Sequence, residues 1–108
     1  MLKKANRLAK SKDIQQTFAR GRTFFTPFFT VKFLRRPAGR RLTVVVSTKV
    51  FKNATARNRL KRITRELLRR RLPDLPAGDY VIGYKPAAAK QAEAGLLQTL
   101  NTTLAAIR

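Results

Sequence analysis

The stretch from Asn53 to Leu72 constrains the fold of this chain more than any other segment. Its apolar residues recur at helical spacing and Pro73 follows directly, so it predicts one long helix with Asn53 or Thr55 as the N-cap. The side expected to pack consists of Leu60, Ile63, Thr64, Leu67 and Leu68. Because most of the remaining positions are Lys or Arg, this helix can bury only one face.

Alternating apolar residues predict strands on both sides of this helix, over residues 24–35, 42–47 and 80–84. Residues 36–39 read RPAG, a turn sequence, so the first two strands are expected to form an antiparallel hairpin. A first helix is predicted from its N-cap Ser11 to Gly21. A last helix is predicted from apolar residues at spacings of three and four, which are Leu97, Leu100, Leu104 and Ile107.

These elements predict an α/β (α+β) two-layer sandwich in the order α-β-β-α-β-α. It would contain a small, mainly antiparallel sheet, a crossover helix before the third strand and two flanking helices. A chain of 108 residues suits one core, so residues 1–108 are expected to form a single domain. Residues 1–10 are basic with few apolar side chains, and we expect them to form a flexible arm.

The charge excess indicates a polyanionic partner, because 25 Lys and Arg stand against 5 Asp and Glu, a formal net charge of +20. A folded domain with this excess gains free energy by binding nucleic acid, since counterions are released from the phosphates. A membrane-surface or toxin-like role is the weaker alternative, and no segment approaches the roughly 18 apolar residues of a spanning helix. We therefore expect nucleic acid, and no membrane, as the partner.

The chain has few groups suited to catalysis. It contains no Cys and no His, which excludes thiolate chemistry, cysteine-ligated zinc and the commonest general base. The acidic residues are Asp13, Glu66, Asp74, Asp79 and Glu93, scattered over separate predicted elements. Asp74 and Asp79 flank Pro76 in a predicted loop, where turn formation and capping are the ordinary roles. We expect no catalytic residue, no metal ligand and no tightly bound cofactor in the protein.

The cationic side of the 53–72 helix is the strongest candidate for recognition. Guanidinium groups pair bidentately with phosphate oxygens, and Asn can donate and accept at base or 2′-OH edges. A single Arg on a helix is usually a solvated charge. Here the density of such residues, opposed only by Glu66, favours RNA binding.

Four sequence blocks together resemble the bacterial ribonuclease P protein family. The run Arg57-Asn58-Arg59-Leu60-Lys61-Arg62, followed by Arg65 and Glu66, is similar to the signature helix of that family. The other blocks are Arg7-Leu8 to Asp13 with Phe18 and Gly21, then Val46-Ser47 with Lys49, and finally Gly78-Asp79-Tyr80-Val81-Ile82. The resemblance covers almost the whole chain.

The resemblance implies a division of labour with RNA. In that family a large catalytic RNA carries the hydrolysis, with Mg²⁺ expected for the RNA. The protein is a non-catalytic subunit of an endoribonuclease holoenzyme that removes the 5′ leader of precursor tRNA in the bacterial cytoplasm. A crossover around the signature helix, commonly left-handed, is also implied. The expected partners are thus the ribonuclease P RNA subunit and the 5′ leader of precursor tRNA, and not DNA.

Site residues follow from the resemblance by position. Those expected to contact the catalytic RNA are Arg57, Asn58, Arg59, Lys61, Arg62 and Arg65. Those expected to line a leader cleft between the first helix and the sheet are Lys10, Phe18 and Lys32. An aromatic ring there can stack on an unpaired base, whereas the alternative for Phe18 is core packing. Ile14 and Lys32 stand where the family often has aromatics, and Thr48 where it has Lys, so this cleft is expected to rely more on charge than on stacking.

Two other classes of protein share this charge and size. A ribosomal or other structural RNA-binding protein would have the same layering without a part in tRNA cleavage. A helix-turn-helix DNA-binding regulator would need a short helix close before the 53–72 helix, where the β-branched run 43–46 stands instead.

The charge excess generates the first prediction, which is that RNA affinity will fall steeply with salt. Each neutralised duplex phosphate contributes about −0.9 to the slope of log K against log salt and each single-strand phosphate about −0.7, so about six cationic contacts give a slope on the order of −4 to −6. Filter binding over a series of salt concentrations measures it. A slope near zero would show that the charge excess does not serve RNA binding.

Overall fold

The computed structural model describes residues 3–107, and Met1 and Leu2 of the predicted arm lie outside that range. Within it lie the helices α1 (Ser11–Arg20), α2 (Ala54–Arg71) and α3 (Glu93–Ala105) and the strands β1 (Arg22–Phe25), β2 (Phe29–Arg35), β3 (Arg40–Val45) and β4 (Gly78–Tyr84). Short 3₁₀ helices cover Lys4–Asn6, Leu72–Asp74 and Pro86–Lys90. None of the helices in residues 3–107 combines the length and the apolar character needed to cross a bilayer.

The strands form one sheet in the order β1-β2-β4-β3. β1 with β2 and β2 with β4 are antiparallel, whereas β3 and β4 are parallel and are joined through α2. The predicted α/β class with a mainly antiparallel sheet and a crossover helix is confirmed. The left hand of the crossover stays a prediction.

The predicted hairpin between the second and third of these strands is wrong, because β4 lies between β2 and β3. Six of the seven residues of β4 are buried, from both faces of the strand, so β4 needs a neighbour on each side. β3 carries Arg40, Arg41 and the exposed Val45 and suits an edge. The hairpin forms instead between β1 and β2.

That hairpin arises because the single strand predicted over residues 24–35 is interrupted at Thr26-Pro27-Phe28. Pro27 has no N–H to donate to a neighbouring strand. The Thr26 hydroxyl oxygen accepts the N–H groups of Phe28 and Phe29, at 3.2 and 3.0 Å, and so closes the turn. The alternation beyond the turn is as predicted, with Phe29, Val31 and Phe33 buried.

The main core lies between one face of the sheet and the two helices α2 and α3. The sheet contributes alternate residues of β2, β3 and β4, and the helices contribute Leu60, Leu67, Leu68, Leu96, Leu100 and Leu104. The predicted N-cap is confirmed, because the Asn53 side chain accepts the N–H of Thr55 at 2.7 Å. Buried Thr64 donates to the Leu60 carbonyl at 2.7 Å, and its hydroxyl lies 2.8 Å from that of Tyr84. The predicted apolar stripe is therefore the packed face of α2.

α1 lies on the opposite face of the sheet, against β2 and β4. The predicted N-cap Ser11 is wrong, since Lys10 holds that position and makes no side-chain cap bond. Gly21 ends α1 as expected, but its φ is −73°, so left-handed backbone is not what the position requires. The requirement is space, because a Cβ there would stand 2.4 Å from the Thr17 carbonyl oxygen and 2.9 Å from that of Phe33.

Residues 6–8 of the basic arm contact β3, and the predicted flexibility of the arm stays a prediction. Leu8 is buried, its N–H donates to the Leu42 carbonyl at 2.9 Å, and Arg7 forms an isolated parallel bridge with Leu42. The Asn6 side chain donates to the Arg40 carbonyl at 2.8 Å. The arm thereby covers part of the outer edge of β3.

Arg41 on β3 joins three elements through ion pairs. Its Nε and Nη2 each lie 2.8 Å from an oxygen of Asp79 on β4, and its Nη1 lies 3.1 Å from Asp13 on α1. Asp79 is only 3% exposed, and Arg36 approaches it at 3.4 Å. The hydrogen bonds that Arg41 donates to Asp79 raise the pKa of Arg41 above its ordinary value. A carboxylate this buried is stable only with such partners.

We predict that Arg41→Met destabilises the fold by about 2–4 kcal/mol, because it leaves the Asp79 carboxylate buried with only the longer Arg36 contact. Arg36→Met is the matched control, since it removes the same charge from a more exposed side chain, and it should cost under about 1 kcal/mol. Urea unfolding of both variants measures the difference. Equal losses would contradict this role of Arg41.

Candidate nucleic-acid interface

The exposed side of α2 is a cationic surface backed by the core. Asn58, Arg62 and Arg65 are exposed, whereas Lys61 is half-buried. Asn58, Arg62 and Arg65 project away from the buried stripe that contains Leu60, Thr64 and Leu68, and Lys61 lies at its flank. Because that stripe packs on the sheet, the exposed side chains are held on a rigid helix. The structure therefore places this part of the predicted site on one surface.

The two arginines at the start of the helix make contacts within the protein. Arg57 Nη1 donates to the carbonyls of Phe51 and Lys52, at 2.9 and 2.8 Å. Arg59 forms a two-pronged pair with Glu93 on α3, at 2.7 and 3.2 Å. The hydrogen bond from Arg59 holds the pKa of Glu93 below its ordinary value. Arg57 thus fixes the loop before α2, and Arg59 ties α2 to α3.

A groove of about 640 Å³ lies beside the cationic side of α2. Its lining comes from the arm, α1, β3 and α2, and comprises Arg7, Leu8, Ala9, Ile14, Leu42, Thr43, Arg62, Arg65 and Glu66. Arginines from the arm and from α2 therefore face one space. Sequence reasoning missed Arg7 as a member of this surface, because its bridge to Leu42 appears only in the fold.

The predicted leader cleft is partly assembled in the structure. Phe18 is 48% exposed, so its alternative role as a core residue is wrong. The Lys32 ammonium lies 6.0 Å from the centre of the Phe18 ring and 3.5 Å from the Phe18 carbonyl oxygen. Lys10 is exposed but lies just before the first residue of α1, about two helical turns from Phe18. The structure brings Phe18 and Lys32 together and leaves Lys10 apart.

The acidic residues all serve in ion pairs. Asp13 and Asp79 pair with Arg41, Glu66 with Arg69 at 3.1 Å, Asp74 with Arg71 at 3.9 Å, and Glu93 with Arg59. The expectation that Asp79 lies in a loop is wrong, because it is a buried residue of β4. In the part of the chain that the structure describes, no three acidic side chains come close enough to hold a metal ion.

Sequence reasoning also missed Arg41 and the pairing role of Asp79. The two residues lie 38 positions apart, and they are neighbours because β3 and β4 pair in parallel with Arg41 opposite Asp79. No local pattern marks such a pair. The only signal in the sequence is an Asp at the start of an apolar strand, which is costly to bury without a cation.

The fold and the two surfaces define a basic, RNA-binding α/β protein. Comparisons with known proteins give its family, because the family model described as Ribonuclease P matches residues 2–108. The chain belongs to this family. A helix-turn-helix regulator is excluded by the strand β3 that precedes α2, and the family match decides against a ribosomal protein.

Three relatives are similar to this chain over most of their length. The ribonuclease P protein component of Legionella pneumophila (strain Corby) is 36% identical over 102 residues, which are 94% of this chain and 88% of the relative. The solved RNase P protein of Staphylococcus aureus is 26% identical, with a TM-score of 0.87 over 94% of each chain. That of Thermotoga maritima is 29% identical, with a TM-score of 0.83 over 94% of this chain and 97% of the other.

The contacts of α2 predict different consequences for two of its arginines. Arg57→Ala removes two hydrogen bonds to the loop before the helix and should cost about 1–2 kcal/mol of stability. Arg62→Ala should change stability by less than about 0.5 kcal/mol while weakening RNA binding and lowering the salt slope by about one. Urea unfolding and salt-dependent binding test both. A stability loss at Arg62 as large as that at Arg57 would refute the assignment.

Proposed function

We propose that this protein binds two RNAs through two surfaces, as the non-catalytic subunit of a ribonuclease P holoenzyme. The exposed side of α2 would bind the catalytic RNA, and the cleft beside α1 would bind the 5′ leader of precursor tRNA in the bacterial cytoplasm. The observation that most supports this proposal is that the exposed residues of α2 and the Phe18–Lys32 pair lie on opposite sides of the sheet. One small protein can therefore contact two RNAs at the same time.

The α2 surface supports binding of a folded RNA. Arg62 and Arg65 are exposed, border the groove together with Arg7, and are backed by packed residues. Guanidinium groups on a rigid helix can engage several phosphates without a large loss of side-chain entropy per contact. Asn58 adds a group that can both donate and accept at a base or 2′-OH edge. Arg57 and Arg59 would support this surface mainly by fixing the ends and neighbours of the helix.

The Phe18–Lys32 pair supports binding of an unpaired strand. A ring that is half exposed beside an ammonium offers a stacking face and a phosphate contact in one place. Duplex RNA keeps its bases within the stack and could not use this face. A 5′ leader is single-stranded and fits the chemistry.

We assign the metal-dependent hydrolysis to the RNA. Each of the five carboxylates of the protein is engaged with an arginine, so using one as a metal ligand or general base would disrupt an ion pair. The role of the protein in the reaction is then to hold the catalytic RNA and the leader in one orientation.

Reconstitution tests this function directly. Adding the protein to the catalytic RNA at low magnesium should raise the rate of 5′ cleavage of a precursor tRNA, because its cations reduce repulsion between the two RNAs. RNA alone and protein alone are the controls, and the protein alone should not cleave. Cleavage by RNA-free protein, abolished by changing an Asp or Glu, would refute the assignment of the chemistry to RNA.

Phe18→Ala should weaken binding of precursor tRNA with a leader by about 1–3 kcal/mol and leave mature tRNA binding unchanged. Because Phe18 is half exposed, the melting temperature should change far less than for a buried Phe, whose truncation costs about 3–5 kcal/mol. Competition binding to the holoenzyme and thermal unfolding measure the two effects. Equal weakening of both tRNAs would remove Phe18 from the leader cleft.

A further inference from the structure

The exposed large apolar side chains that the structure shows in residues 3–107 are Phe18, Phe25 and Val45, at 48, 77 and 44% exposure. All three belong to the same side of the sheet. Phe25 pairs with Thr30 on β2, Thr30 with Gly83 on β4, and Gly83 with Val45 on β3. Residues directly opposite each other in a sheet share a face, so these four form one row, here called the sheet row.

The sheet row lies on the face that α1 partly covers. The neighbouring row contains Thr23, Lys32, Val81 and Thr43, and its Lys32 contacts Phe18 of α1. The Cα atoms of Lys32 and Phe25 are diagonal neighbours on adjacent strands, about 8 Å apart. The sheet row is therefore the continuation of the Phe18–Lys32 cleft beyond α1.

A second ammonium accompanies the second aromatic ring. The Lys85 Nζ lies 5.8 Å from the centre of the Phe25 ring and donates to the Thr26 carbonyl at 2.8 Å, which holds it beside the ring. The pair repeats the arrangement of Lys32 and Phe18, in which an ammonium lies over one face of a ring. Between the two ends of the row, Gly83 has no side chain, so nothing projects from the sheet at that position.

Packing does not account for Phe25. Its neighbour Phe24 points to the other face and packs against the core cluster, whereas Phe25 is 77% exposed. An exposed aromatic at the end of the sheet row, with a cation beside it, suits a ligand that has both a flat ring and a negative charge. With a net charge of +20, the ligand favoured by charge complementarity is single-stranded RNA.

We propose that the sheet row is a second base-stacking position for the leader of the substrate, with Phe25 taking one base and Lys85 a neighbouring phosphate. This inference rests on the proposed function, since it extends the leader cleft from Phe18 to Phe25. It makes the protein contact the leader at two bases, both by stacking. Recognition at the second base is then tolerant of sequence, because every base has a ring face.

An abasic scan of the leader tests the proposal in the reconstituted holoenzyme. The substrates are precursor tRNAs with a single abasic nucleotide at successive leader positions. The unmodified protein should show two sensitive positions. Phe25→Ala should lower affinity for the intact leader on the order of tenfold and abolish sensitivity at one position only. Phe25→Tyr, which keeps the ring, should restore both the affinity and the sensitivity.

The outcomes distinguish the second stacking position from the leader cleft. If Phe18→Ala abolishes one sensitive position and Phe25→Ala leaves the scan unchanged, the second stacking position is refuted and the leader cleft stands. If neither variant alters the scan, the assignment of this cleft to leader binding is refuted as well. The other possible occupant of the sheet row is a second copy of this chain, and sedimentation of the free protein tests for such a dimer. A dimer lost in Phe25→Ala, with an unchanged scan, would also overturn the proposal.

Discussion

The arrangement of the two surfaces depends on the ion pairs that the Arg41 guanidinium forms. It lies between Asp79 of the central strand and Asp13 of α1, at 2.8 and 3.1 Å. Asp79 is almost completely buried, so its carboxylate would be strongly destabilising without this partner. The same guanidinium holds the start of α1 against the sheet. Since α1 is rigid, this contact also helps to set where Phe18, further along the helix, lies over Lys32.

The pairing of the acids explains how a domain with so large a charge excess presents it outward. Each of the five carboxylates contacts at least one arginine, and the pairs of Arg41 with Asp13 and Asp79 and of Arg59 with Glu93 connect elements that are distant in the sequence. The acids thereby stabilise the fold locally, while the other cations, such as those along α2, stay at the surface. Phosphates can then approach without meeting a neighbouring carboxylate at most of these positions. The few acids thereby serve structure, and the many other cations are available for the proposed recognition of RNA.

The parts of the fold that depend on local pattern were predictable from the sequence. The extent of α2, its Asn53 cap and its buried stripe follow from helical spacing, and the buried face of β2 follows from alternation. The order of the strands was not predictable, because local pattern does not show that β4 lies between β2 and β3. Pro27 is a signal for a break in the strand, yet the apolar residues on both sides of it favoured one continuous strand.

The site shows the same division between local and long-range information. The exposed face of α2 was predictable because it lies opposite the packed stripe. For Phe18 the sequence left open a cleft role and a core role, and its exposure in the structure excludes the core role. The contacts of Arg57 with Phe51 and Lys52, and the place of Arg7 beside α2, required the folded chain. The same holds for the sheet row, since its members come from three separate segments that meet only through strand pairing.

The central claim is that two faces of one small domain hold two different RNAs, and site-directed crosslinking tests it most directly. The chain contains no Cys, so Arg62→Cys and Phe18→Cys each provide a single attachment point for a photoreactive group. In the holoenzyme bound to precursor tRNA, the group at position 62 should crosslink to the catalytic RNA and the group at position 18 to the 5′ leader. Crosslinking of both positions to the same RNA would contradict the account.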